Sequence, residues 1–194
     1  MANLFRNLEL QAFRAGITPR SQESREWFRK RASRLRRINR TALMKEQELV
    51  KSPRHIIGSM QMFFYDPKHK ETLPYYDTFP LSIIIGPAEG GFMGLNLHYL
   101  PPMLRAKFLD GLIELADSKV YDDDTKFRLK YGMLKKAAKF KYYKPCVKHY
   151  LSSNVRSRFS TVPAPEWEIA TFLPTAKWNK ASSSTVYSAS RRMI

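Results

Sequence analysis

The sequence predicts an α+β fold: a small antiparallel β-sheet or partly open SH3-like barrel, flanked by basic α-helices. Three observations carry this. Residues 21–42 repeat apolar side chains at helical spacing inside an arginine-rich stretch. Residues 60–99 hold three short apolar runs cut by prolines and glycines. Charge is also segregated. Of a formal net +17, residues 1–50 carry 12 Lys/Arg against 5 Asp/Glu, and residues 126–158 carry 11 Lys/Arg and no acid.

In chain order, residues 4–15 suit a short helix, broken at "GITPRS" by Gly16 and Pro19. Ser21 can cap a long second helix, whose stripe is Phe28, Ala32, Leu35, Ile38 and Ala42. Around that stripe, "REWFRKRASRLRRINR" holds eight basic groups in sixteen residues. The helix should end before Pro53, which disfavours helix at Ser52.

"MQMFFY" then reads as a strand, "DPKHK" as a turn, "FPLSIII" as a second strand and "GGFMGLNLHYL" as a third. In the third, Gly94 marks a bulge or a close approach, and Leu95, Leu97 and Tyr99 alternate with Asn96 and His98. Residues 73–102 hold only two charges, Asp77 and Glu89, with five prolines and four glycines. They read as scaffold: Leu73, Phe79, Ile83, Ile85, Phe92, Leu95 and Leu97 form a strand core with proline corners. Of the adjacent Tyr75 and Tyr76, at most one should face that core.

Pro101 and Pro102 open a further helix with Met103, Leu104, Phe108, Leu112 and Leu115 as its buried stripe. The basic block 126–144 is partly helical, aligning Phe127, Tyr131, Leu134 and Ala138, and is interrupted at Pro145. A short helix over "CVKHYLSSNVRSRF" follows. Three regions result: a basic amphipathic helical arm (1–54), a central α+β domain (55–160) and an extended C-terminal tail (161–194) docked on the domain or on a neighbour.

Several function classes find no support. No apolar run is long enough to span a membrane, and the N-terminus is too charged for a secretory signal. One cysteine, Cys146, precludes an internal disulfide and a multi-cysteine zinc site. There is no phosphate-binding loop and no dinucleotide fingerprint. "GGFMG" lacks the Gly-Lys-Ser/Thr that would complete such a loop, and no cofactor or small-molecule substrate is implied. His98 is a general base or a structural histidine. Cys146 and His149, at i, i+3, are a nucleophile–base pair on a shared helix face, or Cys146 is simply a buried small thiol. Asp77 with Asp122 or Asp124 and Lys126 would imitate a metal-dependent nuclease site, or else mark a solvated helix end.

The basic segments point to a polyanion. From the first, the candidate nucleic-acid ligands are Arg25, Arg29, Lys30, Arg31, Arg34, Arg36, Arg37 and Arg40. From the second they are Lys130, Lys135, Lys136, Lys139, Lys141, Tyr142, Tyr143, Lys144 and Lys148. Arginine grips phosphate bidentately, and tyrosines among lysines can stack on exposed bases. Tyr142 and Tyr143 could equally close the core. No motif reads base sequence, so backbone contacts should dominate. The same basic face would also suit an acidic protein neighbour.

The segments "FFYDPKHKETLPYYDTFPL", "GFMGLNLHYLPPMLRAKFLD", "YKPCVKHYLSSNVRSRF" and "PEWEIATFLPTAKWNK" resemble a virion protein family of T-even-like contractile-tailed bacteriophages, that of the DNA end protectors, or DNA terminal proteins. The resemblance covers about residues 55–190. It implies a non-enzymatic protein carried in the virion near the head–tail connection, and in the host cytoplasm during assembly and infection. Its partners would be DNA ends and other virion proteins, with no membrane. A structural neck or baseplate role is the alternative.

Overall fold

The computed structural model describes residues 3–35, 38–117, 119–120, 122, 131–136 and 141–193. Its centre is the run Leu81–Ala88 (β4), where Leu81 to Ile85 are all buried. A strand apolar on both faces must be covered on both, and β4 is. Ile83 and Ile85 enter the main core, while Ile84 points the other way, into an aromatic cluster of Phe63, Tyr65, Phe92, Tyr150 and Phe159.

Among the described residues eight strands form two antiparallel sheets. In chain order the others are β1 (Val50–Ser52), β2 (Met60–Met62), β3 (Tyr76–Asp77), β5 (Gly91–Asn96), β6 (Val147–Leu151), β7 (Phe159–Val162) and β8 (Trp178–Asn179). The main sheet runs β1-β7-β2-β4-β5-β6, and β3 pairs with β8 separately. Ile83 lies opposite both Met60 and Leu95, so the sheet face and the core face agree. A bulge falls between Ile84 and Gly86 on β4. Gly94 is a close approach, as expected: a Cβ there would sit 2.3 Å from Ser82 Oγ and 3.2 Å from the Tyr150 ring. Gly91 is tighter still, with the Tyr150 carbonyl oxygen 1.9 Å from where its Cβ would stand. β1 and β6 are edges, so the sheet is not closed into a barrel.

The helices are α1 (Leu4–Arg14), α2 (Gln22–Ser33), α3 (Arg40–Leu43), α4 (Pro102–Asp117), α5 (131–136), α6 (Trp167–Phe172) and α7 (Ser183–Arg192). Ser21 caps α2 as the sequence predicts, its hydroxyl accepting from the Ser24 N–H at 3.0 Å. The single long helix expected after it is two short ones. The Asn39 side chain accepts from Ala42 N–H at 3.0 Å, a local bond that competes with helix continuation and starts α3 afresh. The new register buries Leu43 and exposes Ala42, and β1 occupies the expected helix end. On α4 the buried face is Arg105, Ala106, Phe108, Leu109 and Leu112, while Leu104 is 40% exposed.

Two further expectations fall. The helix expected over residues 146–159 does not form: Val147–Leu151 is β6, paired with β5, and Phe159 begins β7, paired with β1 and β2, and this long-range pairing overrides local spacing. The period-two reading of residues 95–99 fails beyond Asn96, because Leu97–Tyr99 form a 3-10 turn with Leu97, His98 and Tyr99 all buried. The C-terminal segment, expected extended, carries α6 and α7, with Ser182 capping α7 by accepting from Thr185 N–H at 3.2 Å. One apolar cluster gathers Phe5 and Leu8 of α1, the sheet, Trp167 of α6 and Val186 of α7. Among the described residues no helix is long and apolar enough to cross a membrane.

Candidate nucleic-acid interface

The first basic surface is α2. Phe28 and Ala32 turn inward, and the helix packs on α1, α4 and α6. Its other faces carry the cations. Arg29, Lys30 and Arg34 are exposed and have no carboxylate partner among the described residues. Arg31 lies 5.2 Å from the Trp27 ring centroid, a cation–π placement. Arg25 is committed to the Asp110 carboxylate on α4. Arg40 is spent within the fold, its Nε donating to the Thr175 carbonyl at 2.8 Å and its Nη2 to that of Ala176 at 2.6 Å. Burial lowers the Arg40 pKa, with Asp77 partly offsetting the effect. Arg36 and Arg37 lie outside the described residues.

The second basic segment divides similarly. Lys135 and Lys136 are exposed on α5, with the Lys135 ammonium 4.5 Å from the Tyr131 ring centroid. Lys144 is exposed on the 3-10 turn Lys141–Cys146, which packs against β5. Tyr143 is half-buried with its ring 4.6 Å from that of Phe108, a packing role. Lys148, on β6, is half-buried with its ammonium 3.9 Å from the Tyr99 ring centroid. Lys130 and Lys139, and the side chains of Lys141 and Tyr142, lie outside the described residues.

Beside these surfaces lies a buried polar chain that the sequence does not signal as a unit. Asp77 accepts four hydrogen bonds: at Oδ1 from the N–H groups of Phe79 (2.9 Å) and Lys177 (3.0 Å), and at Oδ2 from Asn96 Nδ2 (3.2 Å) and His98 Nδ1 (2.6 Å). Burial works to raise the Asp77 pKa, but His98 and these donors outweigh it and hold the carboxyl below its usual range. Burial lowers the His98 pKa, and Arg105 and Arg40 add to that against the pull of Asp77, so the ring is neutral. With Nδ1–H given to Asp77, Nε2 accepts from the Thr175 hydroxyl at 2.9 Å. The order acid, histidine, hydroxyl resembles a nucleophile triad. Here, however, Thr175 is 1% exposed and His98 is fully buried, so no substrate reaches the hydroxyl. The chain ties together the loops around residues 77, 98 and 175. Arg105 is a second buried strut, donating to the carbonyls of Leu100 (2.7 Å) and Thr171 (3.1 Å) and to the Tyr187 hydroxyl (2.9 Å).

The cysteine–histidine reading loses its geometry. Cys146 and His149 do not share a helix face. The thiol is buried and pushed up to about 12 by desolvation, while His149 is exposed on β6 and donates from Nε2 to the Glu89 carbonyl at 2.9 Å. Asp77 is fully engaged in the buried chain, and Asp124 and Lys126 lie outside the described residues. Among the described residues no three His, Cys, Asp or Glu side chains come together to hold a metal ion.

The chain was compared with known proteins. The model of a family described as the phage T4 terminal DNA protecting protein matches residues 1–193. No curated protein and no solved structure matches. The match takes in the N-terminal fifty residues, which carry α2 and which the sequence resemblance had left out. The chain therefore belongs to the phage T4 terminal DNA protecting protein family.

Proposed function

We infer that the protein shields the ends of linear phage DNA by binding them without catalysing a reaction, gripping chiefly the phosphate backbone. The observation that carries this reading is the pairing of a family named for protecting terminal DNA with an α2 surface whose Arg29, Lys30 and Arg34 lack carboxylate partners among the described residues. In this reading the protein rides in the virion near the head–tail connection and enters the host cytoplasm with the genome. Lys135, Lys136 and Lys144 add a second cationic surface. A structural role in the neck or baseplate is the second reading. It is favoured by Phe13 and Leu10 of α1, which are 80% and 42% exposed, as a protein-docking patch would be.

The test is competitive binding of linear and covalently closed circular duplex DNA at about 50 and 200 mM salt. End recognition requires circles to compete poorly at both salts. Equal competition would leave only generic polyanion affinity and favour the structural reading.

A further inference from the structure

One cleft is left unused by the basic helices. It lies between the loop of residues 65–77 and the β5–β6 edge and encloses about 710 Å³. Clefts that hold small organic ligands span roughly 300–1,000 Å³. Two features of its lining define the ligand chemistry.

The first is a cation without a counter-ion. Lys148 is half-buried over the Tyr99 ring and has no carboxylate partner among the described residues. Burial pulls its pKa below the usual lysine value, and a bound anion would favour the charged form. Lys68 on the exposed rim adds a second cation. The acids present do not cancel these. Glu89 lies at the hairpin rim, and Asp77 has both oxygens filled by the four donors above.

The second is aromatic surface. Tyr75 and Tyr76 are both half-buried and both line the cleft, so neither is a plain core residue. Tyr75 sits 6.0 Å from the Tyr99 ring centroid and 6.1 Å from that of Trp178.

The wall is also held in place. The Lys180 ammonium donates to the carbonyls of Lys70 (2.7 Å), Glu71 (2.8 Å) and Leu73 (3.2 Å), and β3 is paired to β8. A preformed wall avoids an ordering cost on binding. Flat rings beside an unpaired cation suit a ligand that is itself a flat ring joined to a phosphate. A base inside a duplex would have to be flipped out of its stack to enter, whereas a terminal one is already at the end of it.

Resting on the end-protection reading, we propose that this cleft receives the terminal nucleotide of the DNA, its base against Tyr75 or Tyr76 and its phosphate at Lys148. The basic helices then supply sequence-blind affinity, and the cleft supplies the preference for an end.

The experiment compares two probes: a hairpin duplex with one open, 5′-phosphorylated end, and the same duplex closed at both ends. Wild-type protein should prefer the open probe. Lys148→Gln and Tyr76→Ala should each cut that preference, read as the ratio of open-probe to closed-probe affinity, about tenfold or more, the scale of one lost stacking or charge contact. Lys148 is packed against Tyr99, so thermal melts accompany each variant. Lys68→Glu, at an exposed position, must also reduce the preference. If wild type prefers open ends and all three variants keep that preference, the cleft proposal is overturned and end protection stands. If wild type shows no preference, the end-protection reading itself fails.

Discussion

Neutralising Arg29, Lys30 and Arg34 together, each to Gln, should flatten the salt dependence of DNA binding by a calculable amount. These side chains are exposed on α2 and lack carboxylate partners among the described residues, so their loss strands no buried group there. Each phosphate contact contributes about −0.9 to the slope of log K against log salt. If these three and Lys135, Lys136 and Lys144 each meet one phosphate, the wild-type slope is about −5.4, or roughly a thousandfold loss of affinity from 50 to 200 mM salt. The triple variant should retain a slope of about −2.7, or roughly a fortyfold loss over the same range. The assay is fluorescence anisotropy of labelled linear duplex across a salt series, with thermal melts to confirm an unchanged fold. An unaltered slope would remove α2 from the interface. A slope near zero in wild type would refute backbone binding altogether.

Three further outcomes follow from the core. His98 has its pKa lowered in the fold, so the unfolded chain takes up more protons as pH falls through about 6.5. The stability it contributes is complete above that pH and is lost below it. Asp77, also lowered, keeps its contribution down to about pH 3.9 and loses it below. Between pH 7 and pH 5 Glu166, raised to about 7 by burial, contributes with the opposite sign, so the His98 part is read as a difference: in urea unfolding over that range His98→Gln should lose less stability than wild type, and an unchanged pH dependence would mean that His98 carries none of it. Gly91→Ala drives a Cβ into the Tyr150 carbonyl and should cost about 1–3 kcal/mol, several degrees of melting temperature; a wild-type melting curve would contradict the β5–β6 register. Phe63→Ala empties the aromatic cluster and should cost about 3–5 kcal/mol by denaturant unfolding, with a loss below 1 kcal/mol refuting its central place there.

Local signals carried the elements that local physics decides. Ser21 and Gly16 bounded α1 and α2, and proline at the first turn opened α4. The apolar, charge-poor run of residues 73–102 was scaffold in large part: Phe79, Ile83, Ile85, Phe92, Leu95 and Leu97 are all buried, while Leu73 instead lines the cleft. What stayed hidden depends on partners far away in the chain. Residues 147–151 become a strand only because the edge of β5 is open to them, and the i, i+3 spacing of Cys146 and His149 resembled a helix face. That misreading hid the cleft, since only a strand at that edge brings Lys148 across from Tyr75 and Tyr76. Likewise Asp77, His98 and Thr175 meet across 21 and 77 residues of sequence. The one clue was Asp77, the only charged residue between Glu71 and Glu89, which in a folded interior demands donors.

The most direct test of the central claim is exonuclease digestion of an end-labelled linear duplex with and without saturating protein, in parallel with an endonuclease acting on an internal site of the same DNA. End protection predicts that exonuclease digestion stalls while internal cleavage proceeds at its normal rate. Equal slowing of both enzymes would show only coating of the backbone, and unimpeded exonuclease digestion would contradict the account outright.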